Sequence, residues 1–312
     1  MNFPDYPTAL PSDQFGFANI LYTKQDGVAT VTINRPAVLN ALNFQTLKEM
    51  ARAFEDASYD DKIGVLVLTG AGDRAFCTGA DLGEQEQFLT RRVDYWKWMG
   101  SFIDAHDRLR NIGKPTIARL NGMVVGGGNE FNIACDLAIA ADHVTIRQVG
   151  TSRGSVPAGG ATQWLPMIIG DRRAREMLFL CEPIPAETAR DWGLVNTVVP
   201  AAELDTAVAE LARKLLDKMP EVIRYAKLQT NFWRDFAWSM TVQHARDWLS
   251  IHADSAETAE GLDSFYAKRP VKYDMLRERI GESGTKCAHC GAIMPPGFTF
   301  CGVCGKDLAA GD

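Results

Sequence analysis

The sequence contains no long hydrophobic run. Its apolar stretches, such as residues 63–68, are far too short to cross a bilayer, so no membrane partner is expected. Residues 1–15 have no basic start followed by an apolar run, which argues against a signal peptide and predicts a cytoplasmic protein. Positive charge is also scarce: 33 Lys and Arg face 39 Asp and Glu. The resulting net charge of −6 does not favour a nucleic-acid partner.

What is present is the composition of a globular protein, with 46% hydrophobic and 23% charged residues among 312. This length allows one large domain and a small appendage. Residues 18–24 and 28–33 alternate like paired strands around the turn residues 25–27. Beyond them, short apolar strands alternate with helical stretches, and this order predicts an α/β architecture with repeated crossover units.

The sequence changes character near residue 201. From there to residue 267 it predicts several helices, among them 221–232 and 238–251, with little strand signal. These helices are expected to pack on the α/β core or on a neighbouring subunit. Residues 269–286 are charged, contain glycine, and are interpreted as a loop-like linker. The predicted domains are therefore 1–268 and 287–312.

The seven cysteines form two groups. Three are scattered among apolar neighbours and are interpreted as buried small side chains: Cys77, Cys135 and Cys181. Four are crowded into the last domain, in two Cys-x-x-Cys pairs each followed by glycine: Cys287, Cys290, Cys301 and Cys304. A tight turn lets both thiolates of a pair reach one metal ion, and two pairs complete a tetrahedral structural site.

This pattern resembles the knuckles of a zinc ribbon, which implies a structural zinc ion. Two disulfides are disfavoured in a chain expected to be cytoplasmic. A rubredoxin-type iron centre remains the alternative, because four thiolates at this spacing accept iron as well. The ribbon has few basic residues, so packing against the large domain or holding a protein partner is expected rather than nucleic-acid contact.

Three segments of the large domain combine small residues with candidate functional groups. They are Ile33–Leu42, Ala75–Leu82 and Asn121–Phe131. The second and third place small residues where a strand passes into a helix, so that a ligand can approach the backbone and free N–H groups can donate to an anion. Two such donors converging on one oxygen form an oxyanion hole. Glu130, just after Gly126-Gly127-Gly128, is placed to act there as an acid or base.

In this order, the three segments resemble the signature of the enoyl-CoA hydratase/isomerase (crotonase) superfamily over roughly residues 18–266. The resemblance implies a spiral of ββα units with a helical C-terminal oligomerisation region, assembled as a homotrimer or a dimer of trimers. It also implies an acyl-CoA substrate whose thioester carbonyl accepts hydrogen bonds from the backbone of Ala80 and Gly127. Glu130 matches the first of the two catalytic glutamates of the hydratases. The residues implied to line the coenzyme A path are Val38, Leu39, Thr78, Asp81 and Leu82.

The second glutamate of the hydratases has no counterpart, because Gly150 occupies its place. Glycine at this position resembles the branch that contains dihydroxynaphthoyl-CoA synthase and the hydrolases of alicyclic oxo-acyl-CoA. Residues 154–183 are similar to 6-oxocyclohex-1-ene-1-carbonyl-CoA hydrolase. In that branch the missing carboxylate is taken to leave room for a cyclic acyl group or an activated water.

The sequence thus predicts a hydratase or ring-opening C–C hydrolase that stabilises an acyl-CoA enolate and adds water to an unsaturated or cyclic oxo-acyl-CoA, as in degradation of aromatic, alicyclic or fatty acids. An enoyl-CoA isomerase that uses Glu130 alone is the alternative within the superfamily. A non-catalytic acyl-CoA-binding assembly subunit is the alternative from another class.

Overall fold

The computed structural model describes residues 9–281, 285–294 and 299–308. These residues separate into two compact units, with the boundary between Leu262 and Asp263. Within the described part of the chain, every helix is too short or too polar to span a membrane.

Strands and helices alternate through most of the chain. The strands are β1 Ile20–Gln25, β2 Val28–Ile33, β3 Val65–Gly70, β4 Ala75–Cys77, β5 Thr116–Leu120, β6 Met123–Val125, β7 Leu137–Ala141, β8 Thr145–Arg147, β9 Ile184–Pro185, β10 Thr197–Val199, β11 Thr285–Lys286 and β12 Ile293–Met294. The helices are α1 Phe44–Tyr59, α2 Leu82–Phe88, α3 Arg92–Arg110, α4 Gly127–Ala134, α5 Ala161–Ile169, α6 Asp171–Leu180, α7 Ala186–Asp191, α8 Leu204–Leu216, α9 Pro220–His252, α10 Ala256–Tyr266 and α11 Tyr273–Gly281.

The strands of the first unit come in consecutive pairs that feed two sheets. β3, β5 and β7 join a six-stranded sheet of order β1-β2-β3-β5-β7-β10. Their successors β4, β6 and β8 join a four-stranded sheet of order β4-β6-β8-β9. Each turn of the chain therefore adds one strand to each sheet, and helices follow β4 and β6. This is the predicted spiral of ββα units, with parallel neighbours that require crossover connections.

The core lies on both faces of the six-stranded sheet. All six residues of β3 are buried, as expected for a parallel strand covered on both sides. Helix α1 buries Leu47, Met50 and Phe54, and it begins after Asn43, whose side chain accepts a hydrogen bond from the Thr46 amide. Cys77, Cys135 and Cys181 are buried, which confirms their interpretation as small core side chains.

Helix α3 is joined to α9 by a buried arginine and the half-exposed carboxylates that pair with it. The Arg110 guanidinium is 2% exposed and lies 4.7 Å from the centre of the Trp164 ring. It forms ion pairs with Asp107 and Asp235. The Trp238 indole N–H donates to the same Asp107 over 2.8 Å. The cluster offsets the cost of burying a cation by pairing it and stacking it on aromatic rings.

Helix α9 is one continuous helix of 33 residues, so the prediction of separate helices at 221–232 and 238–251 is wrong. Residues 233–237 contain neither glycine nor proline, and the helix has no local reason to stop there. The helix and the residue before it carry a row of exposed large side chains, each more than half exposed, at spacings of three or four residues: Met219, Val222, Tyr225, Leu228, Phe232, Phe236 and Met240.

The second unit contains the end of α10, α11 and the short antiparallel pair β11–β12. Helix α11 falls inside the segment 269–286, so a loop-like interpretation is wrong for residues 273–281. An ion pair between Asp274 and Arg277, three residues apart, supports this helix.

Candidate active site and four-cysteine cluster

The carboxyl ends of β4 and β6 lie side by side because the two strands pair in parallel. β4 leads through Thr78 and Gly79 to Ala80, and β6 leads through Gly126 to Gly127. A Cβ atom built on Gly79 would lie 3.0 Å from the Gly127 nitrogen. One built on Gly128 would lie 2.1 Å from the Cys77 carbonyl oxygen. Only glycine at these two positions lets the backbones approach so closely.

The predicted oxyanion donors, Ala80 and Gly127, therefore lie on adjoining backbone segments. The backbone groups of both neighbours of Ala80 are hydrogen-bonded to Leu42. The Gly79 carbonyl accepts from Leu42 N over 2.7 Å, and Asp81 N donates to the Leu42 carbonyl over 2.9 Å. Within the described ranges, neither Ala80 nor Gly127 donates a turn, loop or cap hydrogen bond to the backbone. Gly127 is the first residue of α4, where an N–H has no partner inside the helix. Both residues are partly exposed. Two available amides at one place are the requirement for holding an oxyanion.

Glu130 lies one turn into α4 and is 5% exposed. Its Oε1 accepts hydrogen bonds from the Gly159 amide at 2.6 Å and the Ala161 amide at 3.4 Å. Burial raises the pKa of this carboxyl to about 8, and the two amides act in the opposite direction. A carboxyl group with its pKa near neutrality can both accept and return a proton at physiological pH.

Aromatic side chains of α3 form a wall beside this carboxyl. Tyr95, Trp98, Phe102 and His106 follow one another along one face of the helix and are all buried. The Phe102 ring lies 3.2 Å from a Cβ built on Gly127 and 2.1 Å from one built on Gly159, so it separates the oxyanion segment from the loop that binds Glu130. The wall carries no charge, because burial lowers the pKa of His106 to about 3 and leaves this ring neutral.

The first predicted segment is bound to the second. The Thr78 hydroxyl donates to the Leu39 carbonyl over 3.1 Å, and Leu39 has the left-handed φ of 53°. Arg35 forms an ion pair with Asp81 at 2.8 Å, and the Asp81 side chain also caps α2 by accepting from the Gly83 amide. Val38 is 45% exposed, and Leu82 is the first residue of α2. The structure thus brings the predicted coenzyme A residues together around the end of β4.

Gly150 begins a tight loop after β8. Its carbonyl oxygen accepts hydrogen bonds from Arg153 N at 2.9 Å and Ser155 N at 3.0 Å. A Cβ built on Gly150 would lie 3.0 Å from both Pro157 Cδ and the Ser155 carbonyl oxygen. The direction in which a side chain would leave this residue is therefore filled. A side chain at this position would therefore crowd its neighbours, while the room that the absent carboxylate leaves for a cyclic acyl group or an activated water stays a prediction.

Residues far along the chain support the same loop. The Gly154 carbonyl accepts a hydrogen bond from the Thr258 hydroxyl over 2.8 Å. A Cβ built on Gly154 would lie 2.4 Å from the Glu257 carbonyl oxygen, and the residue has φ +71°. Any other residue at position 154 would meet both a strained backbone and a steric clash.

Sequence reasoning missed Tyr95, Phe102, Ser155 and Gly159 as site residues. The aromatic residues could have been found from their recurrence on one helical face, at positions 95, 98, 102 and 106. Ser155 and Gly159 carry no such signal, because only the tertiary fold brings their loop to Glu130.

The four predicted metal-ligating cysteines lie together in the second unit. All four sulfur atoms are within 4.8 Å of one another, with 3.7 Å between Cys287 and Cys304 and 3.5 Å between Cys290 and Cys301. A tetrahedron with metal–sulfur bonds of about 2.3 Å has edges of about 3.8 Å, so the cluster fits one ion. None of the four is in a disulfide.

The two Cys-x-x-Cys turns are built alike. Gly291 N donates to the Cys287 carbonyl and Gly305 N to the Cys301 carbonyl, each over 2.8 Å. Both glycines have positive φ, +74° and +72°, which explains why glycine follows each pair. Met294, Ala292 and Leu308 pack beside the two buried cysteines, Cys287 and Cys301, as the small core of this unit.

Comparison with known proteins identifies relatives of the part of the chain that contains Ala80, Gly127 and Glu130. A family model described as enoyl-CoA hydratase/isomerase matches residues 23–275. A solved enoyl-CoA hydratase from Mycobacterium avium subsp. paratuberculosis K-10 is 29% identical, with a TM-score of 0.74 over 82% of this chain and 98% of that one. An enoyl-CoA hydratase from Bacillus anthracis is 30% identical, with a TM-score of 0.66 over 81% and 98%. A structure from Geobacillus kaustophilus HTA426, described as enoyl-CoA hydratase subunit I, is 32% identical, with a TM-score of 0.65 over 82% and 98%.

Proposed function

The chain belongs to the enoyl-CoA hydratase/isomerase family of the crotonase superfamily, and we propose that it adds water to an acyl-CoA thioester through an enolate held by Ala80 and Gly127. The substrate class is an unsaturated or cyclic oxo-acyl-CoA. The observation that carries the proposal is the meeting of two available amides with a buried carboxyl of raised pKa.

The proposed hydration step uses Glu130 as its one proton-handling carboxyl. Ionised Glu130 takes a proton from water while the water oxygen bonds to carbon 3 of the acyl group. The electron pair of the carbon–carbon double bond moves toward the thioester oxygen, where the two amides stabilise the enolate. The protonated carboxyl then returns its proton to carbon 2. Water is consumed, no charge accumulates, and Glu130 ends ionised as it began.

Full-length protein assayed with crotonyl-CoA and with a cyclic oxo-acyl-CoA tests this proposal. Turnover of either compound is expected, and Glu130→Gln is expected to lower kcat about 10²-fold or more while CoA thioesters still bind. Tight binding without turnover of either substrate would instead favour a non-catalytic acyl-CoA-binding subunit. Double-bond migration without hydration would favour an isomerase.

Glu49→Gln is a matched control for that substitution. Glu49 is also 5% exposed and also accepts two backbone hydrogen bonds, from Ala18 and Asn19, but it lies on α1 away from the β4 and β6 ends. It is expected to leave kcat unchanged apart from any loss of folded protein.

The exposed apolar row on α9 supports a homotrimer or a dimer of trimers as the assembly. A single long helix with this many large apolar side chains in water is unusual for a monomer and marks a surface that another chain covers. Phe236→Asp should shift the protein to a smaller species in analytical ultracentrifugation, because Phe236 is 56% exposed in one chain. Lys218→Asp, a polar change just before the row, should leave the mass unchanged.

We propose zinc as the occupant of the four-cysteine cluster. When bound, it would be held by Cys287, Cys290, Cys301 and Cys304 and would fix the fold of the second unit. Four thiolates leave no open position, so the role is structural.

A further inference from the structure

A cleft outside the candidate active site lies between α1, α3 and the segment that precedes β1. Its volume is about 470 Å³, which is within the range of pockets that bind small molecules. The lining residues recur at spacings of three or four on each helix, for example Lys48, Arg52 and Glu55 on α1, so they share one helical face. Among the described residues that line the cleft, none contacts Glu130.

The segment that borders the cleft is fixed by a buried carboxylate. Glu49 is 5% exposed and accepts hydrogen bonds from the Ala18 amide at 2.9 Å and the Asn19 amide at 2.7 Å. Just before these amides, the rings of Phe15 and Phe17 line the cleft and stack with 5.0 Å between their centres. The cleft therefore has an aromatic side with a defined position.

The cations of the cleft outnumber the carboxylates that pair with them. Glu55 and Asp104 both pair with the same cation, Arg108, at 2.6 and 2.9 Å. Lys48 and Arg52 have neither an ion pair nor a side-chain hydrogen bond with any residue that the structure describes. Two cations without a carboxylate partner thus line one concave surface.

The two unpaired cations lie on one helical face beside the aromatic rings. Lys48 and Arg52 are four residues apart on α1, so their positive charges repel each other. The Arg52 guanidinium lies 5.2 Å from the centre of the Phe15 ring. An anion bound to both side chains would remove this repulsion and accept charge-assisted hydrogen bonds. A phosphate group suits this place, because its several acceptor oxygens can reach both cations.

The other side of the cleft has the opposite character. Glu55 and Asp104 share one arginine, so they keep a net negative charge and can accept hydrogen bonds from hydroxyl or amino groups. They would repel a second phosphate, which favours a ligand with a single phosphate over a nucleic acid. A flat ring completes the match, because it can stack on Phe15 and Phe17.

We infer that the cleft binds a mononucleotide, with its phosphate on Lys48 and Arg52 and its base on the rings of Phe15 and Phe17. The sugar hydroxyl groups then face the two carboxylates that pair with Arg108. The site binds its ligand and carries out no chemistry. It does not rest on the proposed hydration, because the two sites share no residue.

Isothermal titration calorimetry of full-length protein with adenosine 5′-monophosphate (AMP) tests the site. Butyryl-CoA is present at saturation, so that AMP does not occupy the place of the adenosine of coenzyme A. We expect AMP to bind at least about tenfold more tightly than adenosine or ribose 5-phosphate, because each of these lacks one of the two contacts. Lys48→Gln and Arg52→Gln should each weaken AMP about tenfold and leave adenosine unchanged. Phe15→Leu should weaken AMP without affecting ribose 5-phosphate.

Lys62→Gln is the matched control, because Lys62 is also exposed but lies beyond the end of α1 and does not line the cleft. It should leave AMP binding intact. The nucleotide site would be overturned if CoA-saturated protein does not bind AMP, or if Lys48→Gln and Arg52→Gln leave its affinity unchanged. Tighter binding of oligoadenylate than of AMP would replace the nucleotide by nucleic acid and overturn the site as well.

Each of these results leaves the proposed hydration standing. Failure of butyryl-CoA to bind would count against the proposed function alone. Titration of AMP into the same variants without butyryl-CoA would then test the cleft.

Discussion

The Gly159 amide donates to Oε1 of Glu130 over 2.6 Å, which ties the only carboxyl assigned to the chemistry to a loop 29 residues further along the chain. Gly159 must be glycine for this contact, because a Cβ there would lie 2.1 Å from the Phe102 ring and 2.7 Å from Glu130 Oε2. The position of the carboxyl is therefore set by backbone atoms rather than by another side chain.

The rate of the proposed hydration should depend on the ionisation of Glu130. Its pKa is raised to about 8, so the carboxyl is neutral at lower pH and cannot take a proton from water. We expect kcat/KM to rise about tenfold per pH unit below pH 8 and to level off above it. Initial rates between pH 5.5 and 9.5 measure this. A flat profile over that range would remove Glu130 as the general base.

Glu130 should also make the protein less stable at high pH. Its folded pKa of about 8 exceeds the ordinary value of 4.5, so the folded state holds more protons than the unfolded state between these values. Stability therefore decreases as pH rises from about 4.5 to 8 and is constant beyond. Relative to wild type, Glu130→Gln should gain on the order of 3 kcal/mol between pH 5 and pH 9, measured by urea unfolding. A difference that does not change with pH would contradict the raised pKa.

Removing Arg110 should destabilise the first unit. Arg110→Ala removes a fully buried side chain that stacks on Trp164 and Trp238, so it leaves a cavity beside these rings and takes the ion-pair partner from the half-exposed Asp107 and Asp235. We expect a loss of about 3 kcal/mol or more in urea unfolding. Arg108→Ala is the control, since its ion pairs with Glu55 and Asp104 are solvent-exposed and should contribute under about 1 kcal/mol. If the two variants lose the same free energy of unfolding, the contacts of Arg110 stabilise the protein no more than the exposed ion pairs of Arg108.

The four-cysteine cluster should bind one metal ion per chain. Elemental analysis of the purified protein is expected to find one zinc, and Cys287→Ser with Cys301→Ser should abolish it because two thiolates do not complete a tetrahedral site. Cys135→Ser, a change at a buried cysteine of the first unit, should keep the metal. Visible absorption typical of a ferric thiolate centre would show that the bound metal is iron and not zinc. Purified protein that contains neither zinc nor iron would overturn the site.

The sequence predicted the parts of the fold that follow from local pattern. The hairpin around residues 25–27 and the alternation of strands and helices after it were recognisable from periodicity and turn residues. The prediction of a break within α9 was wrong. A break was expected because the aromatic and charged residues at 233–237 show no periodic apolar signal, but none of these residues stops a helix.

For the site, the glycine patterns predicted two strand ends with free backbone N–H groups near Glu130, and the resemblance to the crotonase superfamily implied Ala80 and Gly127 as the donors. The contact of Glu130 with Gly159 could not be predicted in this way, since it joins elements that are distant along the chain. The same limit applies to Gly150, since only the fold shows that Pro157 and the Ser155 carbonyl oxygen lie 3.0 Å from the place of its Cβ atom.

The bond from Thr258 to the Gly154 carbonyl has a practical consequence for anyone who shortens this protein. Ending the chain before residue 255 would remove Thr258, and with it the hydrogen bond that supports the loop around Ser155, although every group assigned to the chemistry would still be encoded. Cutting after residue 268 keeps the whole of α10, and with it this hydrogen bond, while it removes the cysteine-rich end.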